Sequence, residues 1–105
     1  MNMIEVTMVR IYLSEQSSHL ENLLKRLHDW EKVRGVSVFR GITGYGENGK
    51  MHTASFVDLS LDLPLVVEFF DEPGKIEKIL EHLHNTIKPR HMVKWSAWVN
   101  EYEEQ

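Results

Sequence analysis

The chain has 105 residues, of which 42% are hydrophobic and 27% charged, values typical of one folded domain spanning residues 1–105. Its formal net charge is −4, from 12 basic and 16 acidic residues, which disfavours general binding to nucleic acid or to an anionic membrane. It has no cysteine, which excludes disulfides and thiol nucleophiles. No apolar run approaches the roughly 20 residues of a membrane helix, and the N-terminus lacks the basic-then-apolar order of a signal peptide, so we expect a cytoplasmic protein.

The first part of the chain predicts a strand, a helix and a second strand. Apolar residues fill both alternating sets of positions over 4–13, as in a strand covered on both faces, but Arg10 needs a partner or solvent. Helical spacing of large apolar residues predicts a helix over 18–34, with Ser18 opening a capping box and Gly35 as a left-handed C-terminal cap. The apolar stripe of this helix consists of Leu20, Leu23, Leu24, Leu27 and Trp30. A second strand is expected from Gly35 into the glycine-rich segment that follows.

The second half of the chain predicts a strand, a helix and a last strand. Residues 63–70 are again apolar on both faces except at Glu68, which we expect to pair with Arg10 or Lys94. Acidic residues at the start of the next helix are followed by Pro73, and Pro89 ends that helix. Alternation over 92–99 predicts the final strand.

The predicted order β-α-β-β-α-β indicates an α+β fold, a ferredoxin-like antiparallel sheet with both helices on one face. The other face is then open, yet its central strands carry apolar residues. Burial of about 800 Å² of apolar surface would contribute on the order of 20 kcal/mol before association costs are subtracted. We therefore expect a homo-oligomer joined through its sheets.

A glycine-rich segment, residues 40–53, is the predicted ligand site. Four of the six glycines fall within nine positions, Gly41, Gly44, Gly46 and Gly49. Around them lie the hydrogen-bond donors Arg40, Lys50, His52 and Thr53. Exposed main-chain N–H groups beside cationic side chains suit an anion, although the spacing matches neither a Walker loop nor a dinucleotide fingerprint. The alternative is a hairpin loop without a ligand, with its tip at residues 47–49 and a returning strand over 52–59.

Three segments resemble the PII-like family known as domain of unknown function 190: VFRGITGYG at 38–46, HTAS at 52–55 and LDLPLVVE at 61–68. The resemblance covers about residues 6–99. Members are similar in fold to the PII signal-transduction proteins, trimers that bind adenine nucleotides between subunits and touch a partner protein through a long loop. The resemblance thus implies a homotrimer, an adenine nucleotide as ligand and a protein-contacting loop at 43–61. It also places a second anion-binding loop at 85–91, with Lys88, Arg90 and His91 but without glycine.

The ligand-binding residues predicted from the segment and the resemblance together are Arg40, Gly41, Gly44, Tyr45, Gly46, Lys50, His52, Thr53, Lys88 and Arg90. We expect no catalytic residue and no bound metal. Two other interpretations stay open. One is an interaction module that docks a partner without a small ligand. The other is a metal-dependent enzyme using His52 and His91 across an interface, or an arrangement of Ser55, His52 and Glu68.

Overall fold

The computed structural model describes residues 1–15, 19–46, 49–53 and 62–101. Within those ranges the elements, in chain order, are β1 (Asn2–Ser14), α1 (His19–Lys25), a π-helical turn (Arg26–Trp30), β2 (Val36–Arg40), β3 (Thr43–Tyr45), β4 (Met51–Thr53), β5 (Pro64–Asp71), α2 (Pro73–Leu83) and β6 (Met92–Glu101). No helix in these ranges has the length and apolar character needed to cross a membrane.

The four long strands form one antiparallel sheet in the order β2-β5-β1-β6, and β3 and β4 pair separately as a hairpin inserted between β2 and β5. This arrangement confirms the predicted ferredoxin-like α+β fold. The first and last strands are longer than predicted, because β1 and β6 continue to pair outward until Asn2 lies opposite Glu101.

The core lies between one face of the sheet and the two helices. Alternate residues of β5 are buried, while the residues between them are only half-buried on the opposite face. The core cluster consists of Val9, Ile11, Leu23, Leu27, Val67, Phe69, Ile76, Ile79 and Leu83. Each of these residues belongs to a predicted strand or helix, so the sequence patterns identified the elements that form the core.

The first helix ends earlier than predicted. The helix expected over 18–34 stops at Trp30, and Ser18 lies outside the described residues. In its last turn the Glu31 N–H donates to the Arg26 carbonyl at 2.9 Å, which is the i→i+5 bond of a π-helix. Each residue in such a turn rotates less about the axis than in an α-helix. Trp30 therefore leaves the buried stripe in which Leu27 remains, and it is 73% exposed.

The left-handed residue that follows this helix is Lys32, with φ of +53°, and not Gly35. The prediction for Gly35 was wrong because the π-turn ends the helix sooner than an α-helical pattern implies. The reversal at Lys32 lets the Val33 N–H donate to the Leu27 carbonyl at 3.1 Å. This bond satisfies a carbonyl at the helix end, as C-terminal caps do.

Asp71 joins the end of β5 to the start of α2. Its carboxylate is buried, accepts the Glu72 N–H at Oδ1 (2.8 Å) and has the Lys75 ammonium 2.9 Å from Oδ2. Burial raises the pKa of this carboxyl. The hydrogen bond from Lys75, together with the backbone N–H groups of Glu72 and Arg34, outweighs burial and holds the pKa below its ordinary value of 3.8.

Replacement of Asp71 by Asn should lower the free energy of unfolding at neutral pH by about 1–2 kcal/mol, because it removes a buried charge-assisted contact. The carboxyl is more acidic in the folded chain than in the unfolded one. Its contribution is therefore present above about pH 4 and is lost as the pH falls through the folded-state pKa. Urea unfolding between about pH 7 and pH 3 measures both effects. Glu5→Gln, which removes an exposed carboxylate of β1, is the control, and equal losses in the two variants would contradict the prediction.

Candidate functional site

Both predicted anion-binding segments lie at the same end of the sheet. That end is defined by the strand pairs Arg40 with Leu65, Ser14 with Pro64 and Ile11 with Met92. The glycine-rich segment follows β2, and the connection after α2 leads into β6. Because β2 and β6 are the two outer strands, with two strands between them, the two segments start roughly 14 Å apart across one chain.

The glycine-rich segment folds as the predicted hairpin. Thr43, Gly44 and Tyr45 in β3 pair with Thr53, His52 and Met51 in β4, respectively. At its tip Gly49 has φ of +73° and donates its N–H to the Gly46 carbonyl at 2.9 Å, a turn that favours glycine. The predicted returning strand over 52–59 begins one residue earlier, at Met51, and its later part falls among residues 54–61, outside the described chain.

Two of the predicted ligand-binding glycines pack against a proline ring. The Gly41 N–H donates to the Pro64 carbonyl at 2.7 Å. A Cβ at Gly41 would lie 2.7 Å from Pro64 Cγ, and one at Gly44 would lie 3.2 Å from the same atom. Glycine is therefore required at Gly41 by close packing alone, and its N–H is already used in closing the base of the hairpin.

The cationic and aromatic side chains of this segment are exposed. Arg40, at the end of β2, donates through Nη2 to the Oε1 atom of Glu15. Tyr45 and Lys50 lie on the two sides of the hairpin tip, both exposed. Glu15 was not predicted as part of the site. No local pattern in the sequence indicates its contact with Arg40, because that contact forms only where the ends of three strands lie side by side.

The second segment is held against β1. The His91 carbonyl accepts the Tyr12 N–H at 2.8 Å, and the His91 ring donates through Nδ1 to the Tyr12 carbonyl at 3.2 Å. The His91 N–H closes a turn by donating to the Lys88 carbonyl at 3.2 Å, with Arg90 left-handed at φ of +67°. The exposed Lys88 and Arg90 line one end of an open groove of about 630 Å³ between α2 and β6, beside the half-buried Ile87.

An ion pair lies on the sheet face opposite the helices. The Arg10 guanidinium donates through Nε to Glu68 Oε2 at 3.1 Å and lies 5.3 Å from the centroid of the Trp95 ring. The hydrogen bond to Glu68 raises the pKa of Arg10. The prediction that Glu68 pairs with a nearby cation is confirmed for Arg10, whereas Lys94 donates to Glu77 at 2.8 Å.

Most of the other side chains on this open face are apolar. It carries Met8, Phe39, Val66, Phe70, Val93 and Trp95, all half-buried or exposed. Phe39 lies on the outer strand β2 and is 54% exposed, and its cross-strand partner Val66 is half-buried. None of the described helices covers this face, so the expected apolar patch is present.

Within the described ranges no group of three or more His, Asp or Glu side chains is arranged to hold a metal ion. His82 contacts the Glu31 carboxylate through Nδ1, and His91 donates to Tyr12 as described above. The arrangement of Ser55, His52 and Glu68 gains no support, because Glu68 pairs with Arg10 and Ser55 lies outside the described residues.

The sequence matches a family model over residues 6–99, the DUF190 family, described as "Uncharacterized ACR". A UPF0166 protein of Aquifex aeolicus is 33% identical over 88 residues, covering 79% of this chain and 83% of the relative. A UPF0166 protein of Methanocaldococcus jannaschii is 33% identical over 94 residues and covers 82% of each chain.

Solved structures of PII-like proteins share the fold. CPII of Thiomonas intermedia K12, described as a nitrogen regulatory PII-like protein bound to ADP, AMP and bicarbonate, superimposes with a TM-score of 0.68 at 17% identity, covering 95% of this chain and 100% of its own. A PII-like signalling protein of Thermus thermophilus gives a TM-score of 0.65 at 14% identity, with 94% and 93% covered. These likenesses establish the PII-like fold.

Replacement of Gly41 by Ala should lower the free energy of unfolding by about 1–3 kcal/mol, because the added methyl group overlaps the Pro64 ring. Gly46→Ala is the matched control. It should change stability by less than about 0.5 kcal/mol, since no atom of the described residues, apart from its chain neighbours, lies within 4 Å of the added Cβ. Thermal unfolding of the two variants measures the difference, and equal stability would show that the ring does not constrain Gly41.

Proposed function

The chain belongs to the DUF190 family, and from that premise we propose that it is a PII-like regulatory protein that binds a small anion and signals through residues 43–61. The leading ligand is an adenine nucleotide. The observation that carries this proposal is the placement of two cationic segments at one end of a PII-like sheet: Arg40 and Lys50 on one side, Lys88 and Arg90 on the other. The CPII neighbour, bound to ADP and AMP, supports the choice of nucleotide.

The proposed ligand contacts come from both segments. Arg40 and Lys50 would bind phosphate oxygens together with His52 and Thr53, since guanidinium and ammonium groups make strong charge-assisted hydrogen bonds to phosphate. The main chain near Gly44 and Gly46 would face the ligand beside Tyr45. Gly41 would shape the base of the site by its packing on Pro64 and would not donate its N–H.

We propose that the protein is a homotrimer joined through the open sheet face. Its apolar side chains supply the hydrophobic surface, and the Arg10–Glu68 pair can enter an interface with both charges compensated. In such an assembly the hairpin side of one subunit can meet the Lys88–Arg90 side of the next. That meeting would overcome the separation of roughly 14 Å that the sheet imposes within one chain.

The proposed role is regulatory and not catalytic. A ligand that contacts the hairpin in only one of its conformations shifts the hairpin toward that conformation, and this is sufficient for signalling. Glu68, the carboxylate of the arrangement considered for an enzyme, is bonded to Arg10 at 3.1 Å.

A second candidate function is an interaction module that docks a protein without any nucleotide. The observation in its favour is the apolar character of the hairpin, where Ile42, Tyr45 and Met51 are all exposed. Such a cluster suits a protein partner. This function predicts that hydrogen exchange in the hairpin stays unchanged when nucleotides are added, whereas the leading function predicts slower exchange.

Isothermal titration calorimetry with ATP, ADP, AMP and cyclic dinucleotides should show binding of at least one ligand. Arg40→Ala and Arg90→Ala should each weaken it about tenfold or more, because each removes a charge-assisted contact. Lys78→Ala, at an exposed position of α2, is the control for the loss of one positive charge. Failure of every nucleotide to bind at about millimolar concentration would end the nucleotide proposal.

Phe39→Asp should reduce the particle mass in solution from that of a trimer toward that of a single chain, because it places a charge on the apolar open face. Trp30→Asp is the matched control, an exposed aromatic residue on the helical side, and should leave the mass unchanged. Sedimentation equilibrium measures both variants. A parent protein with the mass of one chain would contradict the trimer directly.

A further inference from the structure

Glu15 lies where three strands of the sheet end together. It follows β1 directly, Arg40 is the last residue of β2, and Leu63 immediately precedes β5. The pairing of Ser14 with Pro64 and of Arg40 with Leu65 brings these positions side by side. The long excursion 41–62 leaves the sheet at Arg40 and returns at Leu63, so Glu15 lies beside both of its ends.

The two carboxylate oxygens of Glu15 contact opposite ends of that excursion. Oε1 accepts a hydrogen bond from Arg40 Nη2, and Oε2 accepts the Leu63 N–H at 3.3 Å. The main-chain N–H of Glu15 also donates to the Leu63 carbonyl at 2.8 Å. One side chain therefore joins the start of the excursion to its end.

Glu15 presents to Arg40 the same kind of group that an anionic ligand would present. Carboxylate and phosphate oxygens both fit the guanidinium fork, so the two compete for it. The Arg40 side chain is 53% exposed and the Glu15 side chain 27% exposed. Solvent thus reaches the pair, and ion pairs of this exposure are weak enough for a ligand to replace.

We propose that Glu15 is an internal counter-ion that occupies Arg40 until an anionic ligand displaces it, and that this displacement frees the Leu63 N–H at the end of the excursion. The inference rests on the proposed function, since it names how ligand binding reaches the signalling segment. By linkage, the factor by which the Glu15–Arg40 contact weakens anion binding equals the factor by which a bound anion weakens that contact. A substitution that removes the contact should therefore strengthen anion binding.

Calorimetry with ADP and with inorganic pyrophosphate on the parent and on Glu15→Gln tests the competition. Gln retains an oxygen for the Leu63 N–H but lacks the charge that holds Arg40. We expect ligand binding in Glu15→Gln to be tighter by up to about fivefold, the range that exposed ion pairs allow. In an Arg40→Ala background the same substitution should give no gain. Glu5→Gln, at the opposite end of β1, changes the net charge equally and should leave the affinity unchanged.

Amide hydrogen exchange gives the second readout. Saturation of the parent with ADP or with pyrophosphate should speed exchange of the Leu63 N–H, because its acceptor, the Glu15 carboxylate, has moved away. The N–H of Gly41 is an internal reference, since its acceptor is the Pro64 carbonyl. In Glu15→Gln the ligand-induced change at Leu63 should be smaller than in the parent.

The outcomes separate this inference from the proposed function. Equal ADP affinity in the parent and in Glu15→Gln, or unchanged Leu63 exchange on ADP binding, would overturn the counter-ion role of Glu15. Neither result would contradict nucleotide binding. Pyrophosphate binding with the expected gain, but no binding of ADP, ATP or AMP, would uphold the counter-ion proposal and remove the adenine nucleotide. If neither pyrophosphate nor any of ATP, ADP, AMP and the cyclic dinucleotides binds to the parent or to Glu15→Gln, both proposals are overturned.

Discussion

The antiparallel pairing of β1 with β5 is the constraint on which the rest of the molecule depends. In this register Val9 and Ile11 lie opposite Phe69 and Val67 beneath the helices, while Arg10 lies opposite Glu68 on the other face. A slip of one residue would exchange the two faces of the strand and place a charged residue against the helices. The same register carries Ser14 to Pro64, and so brings Glu15 beside the two ends of the excursion. The core and the ion pair of the open face are thus consequences of one pairing, and the contacts of Glu15 follow from it together with the pairing of Arg40 with Leu65.

The two sheet faces differ in how they are covered, although both are apolar. The helices bury one face, and the other carries an ion pair within a field of half-exposed side chains. Arg10 is bonded to Glu68 and lies over the Trp95 ring, so both a charged and an aromatic partner compensate it within one chain. A face of this composition can be buried without leaving an unpaired charge, which is the condition that a polar residue must meet in an interface.

Two glycines of the glycine-rich segment pack closely against a proline ring. Gly41 and Gly44 lie so close to Pro64 that a side chain at Gly41 would overlap its ring, and this approach holds the two ends of the excursion together. The base of the hairpin is therefore a tight junction of main chain and proline, with Arg40 and Glu15 at its edge. The proposed anion recognition would therefore depend on side chains at strand ends more than on a cradle of glycine N–H groups.

The sequence by itself determined the order of the elements, the membership of the core and the hairpin, because alternation, helical spacing and turn chemistry depend on neighbours within a few residues. The family was indicated separately, by the resemblance of the segments 38–46, 52–55 and 61–68. The sequence also indicated Arg10 and Lys94 as the candidate partners of Glu68, of which the structure selects Arg10. Only the tertiary structure decided that Trp30 is exposed and that Lys32, not Gly35, is left-handed, because one π-turn changes the rotation of every residue after it. It alone placed Glu15 against Arg40 and Leu63, which lie 25 and 48 positions away. Contacts at such separations are set by strand pairing, and no local pattern records them.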